Sequence, residues 1–134
     1  MELKVLSKDK YIVAAVTNRG NCEIEEKLTD GNEDETYAWR VRLLQMLSDI
    51  GSDGLDTEHI YSKCVNKTNK IYELKSGKLR LFYFKGSNNL IIVCTSLSRK
   101  TSQKVNQAEV ERAIKYKNEF ERANDVDDIK LLGD

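Results

Sequence analysis

The chain has no proline and one histidine among its 134 residues, and its three cysteines are widely spaced. Without proline there is no Pro-rich linker and no rigid polyproline spacer. His59 alone cannot supply a histidine pair, and no partners for it are identifiable, so Ser-His-Asp catalysis is not expected. Cys22, Cys64 and Cys94 fit neither a paired CxxC metal knuckle nor a dense disulfide framework. Cys94 lies in an apolar run, Leu90 to Thr95, and is expected to behave as a small buried hydrophobe. No metal and no other cofactor is expected. No apolar run approaches the roughly 20 residues that cross a bilayer, and the first eight residues lack the apolar core of a signal peptide. A cytoplasmic protein with no membrane association is the expectation.

Net charge is also lacking, since 22 Lys/Arg balance 22 Asp/Glu. That zero conceals a polarised chain. Between Tyr61 and Lys104 stand ten basic residues and one acidic residue, Glu73. The cations are Lys63, Lys67, Lys70, Lys75, Lys78, Arg80, Lys85, Arg99, Lys100 and Lys104. Residues 1–60 hold seven Lys/Arg against thirteen Asp/Glu. A local cationic excess suits a phosphate-rich partner, because each neutralised phosphate releases condensed counterions. A solvated basic strand region balanced by acidic helices is the alternative.

At this length the chain makes one domain with a sizeable core. Tyr11 to Val16 reads as a central strand, followed by turn chemistry at Thr17 to Gly20. Asn21 to Leu28 fits a strand or a short helix. Asn32 to Ile50 reads as a long helix, with Asn32 as cap, Glu35 as capping-box partner and Gly51 as its stop. Its stripe of Tyr37, Val41, Leu44 and Leu47, widened by Trp39, Leu43, Met46 and Ile50, is expected to be core. Asp53 to Lys70 is polar, with a short apolar element at Ile60 and Tyr61. Ile71–Lys75, Leu79–Lys85 and Leu90–Leu97 are strands joined by loops of hairpin length, an antiparallel meander. Gln107 to Ala123 is a second helix, and residues 125–134 form an acidic tail. Strand, helix, meander, helix predicts an α+β fold: an antiparallel sheet with helices packed on one face and the other face open.

On the strand Leu79 to Phe84, successive side chains face opposite sides. Arg80, Phe82 and Phe84 share one side; Leu79, Leu81 and Tyr83 share the other. An arginine beside aromatics can hold a phosphate while a base stacks nearby; the core is the competing role for Phe82 and Phe84. After the last strand, Ser98 to Lys104 combines three cations with small hydroxyl residues, suited to phosphate oxygens.

These segments in this order resemble the RelE/HigB-like toxins of type II toxin–antitoxin systems, and in particular their phage-derived branch. The residues that carry the resemblance are Ile71-Tyr-Glu-Leu-Lys75, Lys78-Leu-Arg-Leu-Phe-Tyr83, the apolar strand, the basic stretch Ser98 to Lys104 and the helix around Val110 to Ala113. It spans about Tyr11 to Ala123, which implies a single RelE-like domain over residues 1–124.

The resemblance implies an mRNA interferase, an endoribonuclease usually acting on ribosome-bound mRNA, in which the 2′-hydroxyl attacks the adjacent phosphate and the 5′-oxygen leaves. It implies Arg80 as phosphate clamp, Arg99 and Lys100 as charge stabilisers, and Lys75, Lys78 and Lys104 on the RNA backbone. Tyr72 or Tyr83 would stack or donate a proton, with the core as the alternative for Tyr83. A cognate antitoxin is the implied protein partner, in a homodimer or a toxin–antitoxin hetero-oligomer. A ParE-like, gyrase-directed binder or an inactive phage-derived relative would share the fold without cleaving RNA. This chain departs from the family at Arg99, where a second Lys is frequent, at Val105, where Pro is frequent, and in its zero net charge.

Overall fold

Among the described residues ten elements follow in order: β1 (Glu2–Lys8), β2 (Ile12–Val16), α1 (Glu23–Leu28), α2 (Tyr37–Asp53), β3 (Ser62–Asn66), β4 (Ile71–Ser76), β5 (Leu79–Lys85), β6 (Leu90–Arg99), α3 (Gln107–Asp125) and β7 (Lys130–Leu132). The computed structural model describes residues 1–56 and 60–133; His59 lies outside them. The fold is α+β. Among the described residues no helix is long and apolar enough to cross a membrane.

The seven strands form one sheet in the order β3-β4-β5-β6-β2-β1-β7. Strands β3 to β6 pair antiparallel in succession. The sheet as a whole is mixed rather than antiparallel, because β2 lies parallel to β6 and β7 parallel to β1. The parallel pair arises because the chain leaves β2 through two helices and returns by way of β3, β4 and β5; a crossover of that length is what parallel neighbours require.

The helices cover both faces, not one. Every residue of β5 from Leu79 to Phe84 is buried, which an open face would forbid. Phe84 meets Phe120 of α3, with ring centroids 5.4 Å apart. Ser76, which pairs with Leu79 and so shares the opposite face, donates its hydroxyl to the Trp39 carbonyl of α2 at 2.8 Å. Strand β2 is buried along its whole length, as expected of a Val/Ala-rich strand flanked by β1 and β6.

Helix α2 departs most from the sequence expectation. It begins at Tyr37, five residues later than Asn32, and Asn32 caps nothing. The acidic segment before it folds instead on its own side chains: Asp34 accepts from the backbone and hydroxyl of Thr36, at 2.8 and 2.6 Å. Arg40, only 5 % exposed, reaches back and donates to the carbonyls of Asp30 and Asn32. The apolar stripe is rotated as well. Arg40, Leu43, Met46, Leu47 and Ile50 are buried, whereas Tyr37, Val41 and Leu44 are exposed. Gly51 does not stop the helix. It sits inside it, where a Cβ would come within 2.8 Å of the Ser7 hydroxyl. The stop is Gly54, at φ 88°, a backbone region that glycine enters freely.

Helix α3 is capped by Asn106, whose side chain accepts from the Glu109 N–H at 3.3 Å. It buries Val110, Ala113 and Phe120. The segment expected as an acidic tail contributes β7, paired with β1 through Leu131 and Leu3.

Candidate nucleic-acid interface

The end of the sheet formed by the β4–β5 turn and the last residues of β6 gathers the cations. Strands β4 and β5 turn through Gly77 and Lys78, with Gly77 at φ 55°. Any Cβ at Gly77 would overlap the Trp39 ring, so the turn and α2 fit only with glycine there. Trp39 in turn carries the Arg99 guanidinium, 5.6 Å from its ring centroid. Arg99 also forms an ion pair with Glu35. The segment after β6 is tied to the turn by the Lys100 N–H, which donates to the Lys78 carbonyl at 2.6 Å.

A cleft of about 270 Å³ opens here, lined by Arg80, Arg99, Lys100 and Lys104 together with Phe82, Ser98, Thr101, Ser102 and Asn106. Glu73 is the one carboxylate on its wall. Arg80 and Arg99 are paired with Glu73 and Glu35, so the cleft's bias towards phosphate comes from Lys100 and Lys104 added to those two paired guanidiniums.

Arg80 is 7 % exposed and forms the floor of this cleft. It donates to the carbonyls of Gly77 and Leu79, at 2.8 and 2.9 Å. Its Nε lies 3.7 Å from a Glu73 carboxylate oxygen and has no hydrogen-bond partner. The guanidinium is therefore already held by protein groups, and towards the cleft it offers a buried charge rather than a free fork. Lys104 and Lys78 are exposed, and Lys100 is half-exposed. Lys75 is exposed on β4 directly across from Arg80, outside the cleft lining.

The two tyrosines lie elsewhere. Tyr72 and Tyr83 pair across β4 and β5 and stack with centroids 5.4 Å apart. Period-two alternation puts them on the sheet face opposite Arg80. Tyr83 is 2 % exposed, and its hydroxyl shares a 2.5 Å hydrogen bond with Ser62. Burial pushes its pKa up to about 12. Tyr83 is therefore a core residue with no path to the cationic cleft, and Tyr72 carries Lys85 over its ring at 5.2 Å.

Glu73, Asn106 and Trp39 were not singled out as site residues from sequence. A signal existed for Glu73: in the β4–β5 register it is the diagonal neighbour of Arg80. Trp39 had none, because its place depends on where α2 crosses the β4–β5 turn.

A second, larger cleft of about 780 Å³ lies beyond Arg99. It wraps the carboxyl ends of the parallel strands β2 and β6, with walls from α1, α3 and the segment before α2. Its cations are paired at home: Lys27 with Glu23 at 2.8 Å, Arg112 with Glu109 at 3.2 Å, Arg40 with Asp34 at 3.7 Å. The Lys27 ammonium beside Glu23 lowers that carboxyl's pKa, and the Thr36 hydrogen bonds lower that of Asp34. No family model, no curated protein and no solved structure matches this chain.

Proposed function

We propose that this protein is an RNA-cleaving toxin of the RelE/HigB kind, an mRNA interferase held in check by an antitoxin that covers its cationic cleft. The observation that carries the reading is the convergence of Arg80, Arg99, Lys100 and Lys104, from two strands and one loop, on one cleft with a single carboxylate. A poison aimed at a protein has no need of a phosphate site.

In this reaction the 2′-oxygen bonds to phosphorus as the bond to the 5′-oxygen breaks. The hydroxyl loses its proton to solvent water, and the leaving oxygen gains one. Charge builds on the non-bridging oxygens, and fixed cations stabilise it most where water is scarce. Arg80 supplies buried positive charge beneath the phosphate. Arg99, braced by Trp39 and Glu35, and Lys100, braced through its backbone, face the equatorial oxygens. Lys104 at the rim neutralises the flanking backbone, and the ammonium groups are the proton donors at hand for the 5′-oxygen. The bacterial cytoplasm, where ribosome-bound mRNA lies, is the place of action under this reading.

A non-enzymatic relative is the second reading, and one observation favours it. Tyr72 and Tyr83 sit across the sheet from the cleft, so no phenol there can exchange a proton with the substrate. Induced expression in bacteria, with primer extension on a reporter mRNA, separates the two. Growth arrest with discrete new 5′ ends, reduced about 100-fold in Lys100→Ala, supports the ribonuclease. Arrest without cleavage, or no effect at all, supports the relative that binds without cutting.

A further inference from the structure

We propose that the larger cleft is a nucleobase pocket, seating the base of the nucleotide whose phosphate occupies the cationic cleft. The inference rests on the ribonuclease reading and adds to it a source of sequence preference. Ser98 and Arg99, consecutive on β6, line both clefts. One wall therefore serves a phosphate on one side and whatever is attached to it on the other.

The larger cleft differs from its neighbour in its charges. Its lining sets Glu23, Asp30, Asp34 and Glu109 against Lys27, Arg40, Arg99 and Arg112, whereas the smaller cleft sets Glu73 alone against Arg80, Arg99, Lys100 and Lys104. The larger cleft therefore has no standing demand for an anion and suits a neutral, hydrogen-bonding ligand. Its volume of about 780 Å³ falls among pockets that enclose small organic molecules. It also lies at the carboxyl ends of two parallel strands, where open sheets with helices on both faces place their ligands.

Ser96 is the second, independent sign. It lines this cleft, is 6 % exposed, and its hydroxyl has no hydrogen-bond partner. A buried hydroxyl left unpaired is unfavourable, and a base edge carries the donors and acceptors that would satisfy it. Tyr116 of α3 also lines this cleft and offers a ring on which a base can stack. Asn18 and Asn21, bridged to each other on one turn, also line the cleft and offer amides that both donate and accept, as a base edge requires.

The test is calorimetric titration of the full chain with each of the four ribonucleoside 3′-monophosphates, and with tetranucleotides of each base. The expected result is one base preferred by about tenfold, the size of a good base contact, with its tetranucleotide bound more tightly than the monophosphate. Ser96→Ala should erase that preference. Lys100→Ala should weaken all four monophosphates by the same factor and leave the preference intact. Four equal affinities, still weakened by Lys100→Ala, would overturn the base pocket while leaving the phosphate site and the ribonuclease reading in place. Equal binding of monophosphate and tetranucleotide would overturn RNA as its source. Cleavage of reporter mRNA with no monophosphate bound at millimolar concentration would sink the pocket alone; no binding and no cleavage would sink both readings.

Discussion

Tyr83 and Arg80 share strand β5 and face opposite sides of the sheet, and the contrast between those sides explains which residues are free to act. On the tyrosine side, α2 packs over the strands: Ser76 bonds to Trp39, and the Tyr83 hydroxyl closes on Ser62. Polar atoms there are consumed in holding the fold. On the arginine side, α3 covers Phe84 but leaves the turn end uncovered, and the cations of the segment after β6 fill the gap. Alternation along one strand thus divides a run of similar residues into a structural set and a set that can meet a ligand. Arg80 belongs partly to both, since Glu73 and two carbonyls hold it while it floors the cleft.

That dual role gives the largest expected effect. Glu73→Ala would leave the Arg80 charge buried without its carboxylate, which costs about 3 kcal/mol by analogy with other broken buried pairs. The low end of that range applies because the Gly77 and Leu79 carbonyls remain. Urea denaturation would measure it. A loss under about 1 kcal/mol would place the pair with solvent-exposed bridges and blur the distinction between floor and rim.

The tyrosine side is tested by alkali. Tyr83 ionises near 10 when unfolded but near 12 in the folded core. Between those values the unfolded chain has released a proton that the folded chain retains, so stability falls as pH rises from 10 to 12. Two units correspond to about 2–3 kcal/mol, fully lost only above the folded value. Tyr83→Phe should remove this contribution, lose about 1 kcal/mol at neutral pH with the Ser62 bond, and, under the proposed ribonuclease function, leave RNA cleavage unchanged. A Tyr83→Phe variant that folds normally but no longer cleaves would return the phenol to the chemistry and break the division between the faces.

The strands β4, β5 and β6 were legible because their alternation and hairpin loops are local signals. What escaped was set by distant partners. Lys130 to Leu132 is a strand only because β1 lies beside it. Ser62 to Asn66 is a polar edge strand, defined by β4 rather than by its own pattern. Glu33 to Glu35 looked like a first helical turn, but Arg40 draws the chain back towards Asp30 and Asn32, and the helix starts later. The stripe at Tyr37, Val41 and Leu44 had helical spacing, yet Leu43, Met46, Leu47 and Ile50 present a richer apolar face and took the core. At the site, charge and order along the chain singled out Arg80, Arg99, Lys100 and Lys104, which line one cleft, together with Lys75 and Lys78, which lie outside its lining. The tyrosines followed from family resemblance, although the alternation already placed Tyr83 opposite Arg80.

The smallest effect gives the finest test of the two faces, because it compares lysines of equal charge. Lys104 lines the cleft rim, whereas Lys85 lies over the Tyr72 ring on the other side. If the cleft tracks an RNA backbone, Lys104→Ala should weaken binding of a single-stranded oligonucleotide only a few-fold at physiological salt. It should also reduce the slope of log K against log salt by about 0.7 to 1, the signature of one lost phosphate contact. Lys85→Ala removes the same charge from the same molecule, so any general electrostatic attraction falls equally in both variants. Its slope should match that of the unaltered protein. Equal slopes for Lys85→Ala and Lys104→Ala would mean that the chain attracts RNA by diffuse charge, and the cleft would lose its claim to position a phosphate.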